Sequence, residues 1–478
     1  MFLTLLPEIT LVVLAFVVLT TDLALDRQSR AFLPYLTAAG MLLAVIFTIV
    51  FALPGDKPQL IFGGMLRHDW LTFVFRLVFL FGALATVLFS AGWERVARRG
   101  EYYVLIITST LGMMLMGASA DLVMLFLAIE TTSIPLYILA GFITEDDKST
   151  ESGFKYLLFG AMTTAIMLYG FSMLYGFSGS TNLYWIAGAL MSGELPFISM
   201  MGTVILVMAG FAFKVSMVPF HFWAPDVYEG SPTPIAGFLS TASKAAGFAV
   251  IIRVLLTAFP LEAFGGVDWT MMMAIAAALT MSVGNLIALA QTNIKRLLAY
   301  SSVAHAGYIL MGIAAASELG GLSVVFYIIV YLVTNLAAFG VVAVAERTLG
   351  SNDLEAYDGL SRRSPALALV LLISLLSLAG VPPMGGFIAK VLVFAAAVEA
   401  NMVWLAVVGI LNAIVGLYYY LIVLKRVYLF RSEEEDKPVP IPRPSAVALT
   451  VCLIAILVFG TIIAPWFDYS GIAAGALF

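Results

Sequence analysis

Charge, cysteine and histidine are all scarce in this chain. Of its 478 residues only 11% are charged, while 62% are hydrophobic. A soluble domain of this length would need far more charge to cover its surface. A single cysteine, Cys452, excludes an internal disulfide, a cysteine-held iron–sulfur cluster and a CxxC zinc site on this chain. Neither HExxH nor a lysine in a GK[ST] setting occurs, which removes the zincin and P-loop signatures. The net charge of −5 says little, because in a membrane protein the placement of charge matters more than its sum.

What the chain has instead is apolar runs from end to end, each about 20 residues long and able to cross a hydrocarbon core of roughly 30 Å. Backbone polar groups in lipid need internal partners, so such runs read as helices. The pattern predicts an all-α polytopic membrane protein with about 14 spans, from 4–24 to 446–466. The twelfth, 365–398, is too long for one simple crossing and is expected to contain a break. The first has an early Glu8, no basic leading segment and no small-residue cleavage site, and reads as a retained helix.

Lysine and arginine orient the spans. One set of alternate loops carries 17 of them, among them Arg27, Arg95, Lys148, Lys155, Lys295, Arg296 and Arg426; the other set carries 3, Lys57, Arg67 and Arg253. The rich side is expected to be cytoplasmic, with both termini outside. The segment Arg431–Pro444 mixes an acidic run (Glu433, Glu434, Glu435, Asp436) with four prolines and reads as a solvated linker. The census leaves Arg76, Lys214, Lys244 and Lys390 within spans. Arg76, about two turns into its helix, is expected to snorkel to the interface. The lysines have no such way out.

Glu130, Lys214, Lys244, His305 and Lys390 fall on five different spans, roughly 13–20 Å from either membrane face at 1.5 Å per residue. An ionisable group at that depth is costly unless paired or hydrated, so such groups usually line a pathway. A structural ion pair could account for any one lysine, and His305 alone reads as readily as packing. Five at one depth point to transport. Burial pulls a lysine's affinity for its proton down and a nearby carboxylate pushes it up, so a lysine whose partner approaches and withdraws binds and releases a proton. A histidine relays with little tuning. Ions other than protons stay open on this argument.

Two spans look broken. Pro219 follows Lys214 by five residues, and GVPPMGGF precedes Lys390; proline removes a ladder donor and glycine relaxes the backbone. Broken helices in corresponding positions point to an internal repeat with an ion site at the breaks. Spans 4–8 and 9–13 are expected to form two inverted five-helix repeats, approximate because Lys214 precedes its break and Lys390 follows its own. The expected units are residues 1–100, 101–260, 261–432 and 433–478. Asp226 and Glu229, in His221–Ser240, have no basic neighbour in sequence. They read either as a cytoplasmic funnel for cations or as a turn before the helix that starts at Pro232 and Pro234.

Three stretches, KVSMVPFHFWAPDVYEGSPTPIAGFLSTASKAAG, NIKRLLAYSSVAHAGYILMG and SLAGVPPMGGFIAKVLVF, resemble the antiporter-like membrane subunits of respiratory complex I. With the span count, the likeness covers nearly the whole chain. Glu130, Lys214, Lys244 and Lys390 match the family's Glu on helix five, Lys on helices seven and eight and Lys or Glu on helix twelve; His305 matches its polar helix-ten position. A lysine on helix twelve, and an end about a dozen residues after the last span, favour the N type over its M and L sisters. The resemblance implies a proton-translocating module in a bacterial cell membrane, beside other membrane subunits of NADH–quinone oxidoreductase. It puts FMN, iron–sulfur clusters and the quinone site in partner subunits, and no cofactor or metal on this chain. It implies a Glu130–Lys214 switch, central relays at Lys244 and His305 and an outlet at Lys390.

Three other functions compete. A subunit of a multisubunit Na⁺/H⁺ antiporter or membrane-bound hydrogenase would carry the same residues. A structural scaffold would use the charges only to hold helices together. An organic-solute transporter would need a recognition cluster that the sequence does not display.

Overall fold

The computed structural model describes residues 3–26, 28–55, 57–192, 196–261, 269–432, 434 and 436–477. Arg27, Glu433 and Glu435, counted above among the loop charges, lie outside the described residues.

Apolar runs become helices wherever they are long enough to cross lipid. The long helices of the first half are α1 (Leu6–Ala24), α2 (Leu33–Phe51), α3 (Trp70–Ser90), α4 (Gly100–Ala118), α5 (Leu122–Ala140), α6 (Asp147–Ser178), α7 (Phe197–Val215) and α8 (Thr233–Ala258). The second half consists of α9 (Trp269–Ala288), α10 (Ile294–Ala314), α11 (Glu318–Leu349), α12 (Pro365–Ala379), α13 (Gly385–Glu399), α14 (Val403–Leu429), α15 (Arg443–Thr461) and α16 (Ala464–Gly475). Among the described residues, 13 helices are long and apolar enough to span a membrane. The short α12 and α13, 15 residues each, occupy the stretch of the expected twelfth span, interrupted as the proline–glycine pattern predicts.

Side-chain caps start several helices by accepting from the free amides of the first turn. Asp69 takes the Thr72 amide at the head of α3, Asp121 those of Val123 and Met124 at α5, and Asn293 those of Lys295 and Arg296 at α10. A hairpin of β1 (Gln59–Ile61) and β2 (Leu66–His68), paired Gln59 to His68 and Ile61 to Leu66, joins α2 to α3.

Hydropathy alone does not tell a lipid-facing helix from a central one; burial does. The apolar window of α8 is 100% buried and those of α10 and α11 94%, against 28% for α1. The three central helices therefore carry their polar side chains into protein, whereas α1, α2, α6 and α14 turn large apolar side chains such as Phe16, Ile46, Leu158 and Ile414 outward. Cys452, on α15, is fully buried.

Both breaks fall where expected. α7 ends at Val215, and Ser216 takes the left-handed conformation (φ 59°), which terminates a helix by turning the chain out of its ladder. The chain then passes through a short helix, Trp223–Gly230, before α8. α12 ends at Gly380, with φ +85°, where a side chain would be strained and an added Cβ would sit 2.9 Å from Lys390 Cδ. Both breaks contain a cis X–Pro bond, Val218–Pro219 and Pro382–Pro383. Lys214 thus precedes its break and Lys390 follows its own.

Two charges sit elsewhere than the sequence reading puts them. Arg76 does not snorkel: it is 1% exposed and bonds Glu8 of α1 at 2.7 Å. Arg253 is no loop residue; it lies inside α8, 1% exposed, with its guanidinium on both oxygens of Asp69 at 2.8 and 3.0 Å. Each found a partner far away in sequence, which a loop census cannot see.

Candidate functional site: a buried polar row

The first group lies where α5 meets α7. Lys214 is 4% exposed, and its ammonium donates to Ser133 Oγ at 2.5 Å. Ser133 follows Glu130 by three residues on α5, so both project from one side of that helix. No ion pair joins Lys214 to Glu130, whose Oε1 is buried without a hydrogen-bond partner. The lysine rests on a neutral hydroxyl one turn from the carboxylate, and the two charges are near but not bonded.

The second group centres on α8. One π-helical turn, Leu239–Ser243, runs directly into Lys244; such turns widen a helix locally and recur at functional positions. The Lys244 ammonium donates to the carbonyl and hydroxyl of Ser302 on α10, at 3.0 and 2.9 Å. Within the same turn Ser240 accepts from Asn335 of α11 at 2.9 Å, and the Asn335 amide also donates to the Tyr331 hydroxyl at 2.9 Å. The ammonium is thus held by a serine and a backbone carbonyl, with no carboxylate bonded to it.

His305 and Lys390 complete the row. The two ring nitrogens of His305 meet the hydroxyls of Tyr327 on α11 (2.7 Å) and Tyr420 on α14 (3.2 Å), and Tyr420 is also bonded to Ser301. Lys390 donates to the carbonyl of Ala379, the last residue of α12, at 2.9 Å, and its ammonium lies 4.9 Å from the centre of the Tyr308 ring. The break leaves that carbonyl without a helical partner, so the interruption itself supplies the lysine's acceptor. Tyr308 reaches Asn285, which is bonded in turn to Tyr419 and Asn412.

The structure therefore brings Lys244, His305 and Lys390 around α10 and holds Glu130 with Lys214 on α5 and α7. Sequence reading passed over the tyrosines, Ser302, Asn285 and Asn335. A tyrosine in an apolar run looks like core; only its hydroxyl partners reveal a relay. Every hydroxyl can both donate and accept, so the arrangement can pass a proton by small rotations. Among the described residues no group of three or more His, Cys, Asp or Glu is placed to hold a metal ion.

At one end of the row, Asp226 and Glu229 do find bases, brought by other helices. Asp226 meets Lys155 (2.5 Å) and Arg296 (2.7 Å), and Glu229 meets Lys148 and Arg296 (both 2.8 Å). This is the tied turn, not a bare acidic funnel. Partial burial pushes both carboxyls up, but bonds to Lys155, Lys148 and Arg296 outweigh it and hold both below their ordinary values. Lowered values mean that the stabilisation is present above the ordinary carboxylate range and is lost as pH falls through the lowered values. The unfolding temperature of the purified assembly should stay level near neutrality and drop below about pH 4. In an Asp226→Asn, Glu229→Gln variant that acid drop should shrink; an unchanged drop would mean that these pairs do not stabilise the fold.

The chain is similar to known proteins over nearly its whole length. The family model described as "NADH:quinone oxidoreductase/Mrp antiporter, TM" matches residues 119–416, a stretch that holds all five row residues. NADH-quinone oxidoreductase subunit N of Moorella thermoacetica is 42% identical over 466 residues, covering 97% of this chain and 96% of that protein. A chain of respiratory complex I from Thermus thermophilus superposes with a TM-score of 0.81 at 33% identity, covering 97% of this chain and 99% of that one. A chain of the archaeal membrane-bound sulfane sulfur reductase superposes with a TM-score of 0.89 at 23% identity, covering 99% and 97%, which shows a shared fold. By the family model and by its likeness to these relatives, the chain belongs to the NADH:quinone oxidoreductase/Mrp antiporter family of transmembrane subunits.

Proposed function

We propose that the chain is the N-type proton-translocating membrane subunit of an NADH–quinone oxidoreductase. Protons move through Glu130, Lys214, Lys244, His305 and Lys390, and quinone reduction in partner subunits drives them. The observation that carries this reading is the contact of the buried lysines and histidine with hydroxyls: Ser133 at Lys214, Ser302 at Lys244, and Tyr420 and Tyr327 at His305. A scaffold would be expected to neutralise buried lysines with carboxylates; relays need groups that exchange protons.

In this reading the Lys214 ammonium alternates between Ser133 and Glu130. Its approach to Glu130 removes a positive charge from the neighbourhood of Lys244, and its withdrawal restores it. Lys244 passes its proton by way of Ser302 and the His305 tyrosines towards Lys390. The repeats comprise residues 101–260 and 261–432, preceded by 1–100 and followed by the linker and last helices, 433–478. The loops rich in Lys and Arg are cytoplasmic and both termini lie on the outer side of a bacterial cell membrane. FMN, the iron–sulfur clusters and the quinone belong to partner subunits.

Lys214→Ala tests the switch. In membrane vesicles, NADH-driven pumping by the assembled complex should fall by about 10²-fold, the lower end of what one positioned proton-transfer group contributes. Pumping at the parent rate with normal assembly would remove Lys214 from the path. A second reading, a subunit of a multisubunit Na⁺/H⁺ antiporter, draws on the breadth of the family description. Replacing Na⁺ by K⁺ separates the two: undiminished pumping supports the first, and Na⁺ dependence the second.

A further inference from the structure

Beneath the tied turn lies a cavity of about 250 Å³ that opens on the side of the charged loops. Glu346, at the end of α11, lines it together with Glu229, Ser231 and Lys295. Four acids line it, Asp146 and Asp353 just outside helices, Glu229 and Glu346 within helices. Glu229 is bonded to a lysine and an arginine, and such a carboxylate keeps its charge. Glu346 is half-buried and takes its hydrogen bonds from neutral donors, the Thr233 hydroxyl on one oxygen and the Asn352 amide on the other, at 2.6 Å. Thr233 is the first residue of α8, the helix that carries Lys244.

On the short helix before α8 and on α11, the Tyr228 hydroxyl and Asn335 Oδ1 are among the buried polar atoms without a partner. The Tyr228 side chain is fully buried, and its hydroxyl lies near Ser302, the residue that holds Lys244, with no hydrogen bond formed. Asn335 is likewise fully buried with its Oδ1 unpartnered, and its amide is bonded to Ser240 on the π turn. An unpartnered buried polar atom costs about 1–3 kcal/mol, so each marks a place where water is favoured. Tyr228 immediately precedes Glu229, which lines the cavity, so one short helix reaches from cavity wall to Ser302.

We infer that Glu346 is the proton-collecting residue of this subunit, loading Lys244 through the Tyr228 hydroxyl and Ser302. This rests on the reading that Lys244 carries protons, and supplies its inlet. The Glu346 carboxylate takes a proton from water in the cavity. It releases that proton along the Tyr228 route to the neutral Lys244 amine and returns to the anion, with no other bond made or broken.

Two variants of the complete complex test it. In Glu346→Gln the side-chain oxygen can still accept from Asn352 and its NH₂ can donate to the Thr233 oxygen. A structural role therefore survives and proton collection does not. Tyr228→Phe removes only an unpartnered hydroxyl. NADH-driven pumping should fall in each, by up to the roughly 10²-fold that one positioned proton-transfer group typically contributes at the least, and Glu346→Asp should restore most of it. If either Glu346→Gln or Tyr228→Phe pumps at the parent rate while Lys244→Met does not, the inlet lies elsewhere. If Lys244→Met also pumps at the parent rate, the proton-carrying reading itself fails. Should the Gln variant not assemble, Tyr228→Phe decides.

Discussion

Replacing Lys244 by methionine should leave a complex that assembles normally and pumps about tenfold less, or not at all, in line with the loss of an essential proton-transfer group. The expectation of normal assembly comes from the site. Methionine fills nearly the same volume, and a volume-conserving exchange in a packed core costs little. Nothing polar is stranded, because the Ser302 hydroxyl already donates to the Ala299 carbonyl at 2.7 Å. No carboxylate is bonded to Lys244, so no buried anion is left behind. The loss would therefore be functional and clean. Lys244→Arg sharpens it: arginine keeps the charge but does not release its proton, so it too should fail. Native-gel assembly with vesicle acidification gives both readouts, and normal acidification in the methionine variant would end the case for Lys244 as a carrier.

The second large effect is on stability. Asp69→Ala should cost about 3–5 kcal/mol, the usual result of stripping one partner from a buried ion pair. Asp69 and Arg253 are each 1% exposed at the side chain. Burial pushes the Asp69 carboxyl up, and Arg253 outweighs it, holding the group below its ordinary value. The same carboxylate receives Arg67 at 3.0 Å and caps α3 through the Thr72 amide at 2.8 Å. Alanine would leave the Arg253 guanidinium inside the bundle with no anion. Little or no assembled chain should reach the membrane, and Asp69→Asn, which can still cap, should lose less. Wild-type levels of assembled Asp69→Ala chain would show that water replaces the pair at little cost.

These two sites also mark what sequence could and could not reveal. Lys244 was legible because a charge inside an apolar run is conspicuous at any depth. The breaks at Pro219 and around Pro382 were legible because proline and glycine act on the backbone where they stand. Arg253 was not: near the end of a run, hydropathy cannot separate a loop residue from a paired one, and Asp69 lies 184 positions away. The hydroxyl relay was hidden for a related reason. Tyr327, Tyr331 and Tyr420 sit on two helices that meet α10 only in the folded bundle, and along the chain each is one more aromatic among 19 tyrosines. The bases opposite Asp226 and Glu229 likewise come from α6 and α10.

The depth at which Cys452 is packed has a practical consequence. It is the chain's only thiol and is wholly covered, so water-soluble alkylating reagents have no native target on this subunit. A cysteine introduced into any loop would be the only group here that an impermeant maleimide meets. The two faces of the protein can thus be told apart one substitution at a time, on an otherwise unaltered chain.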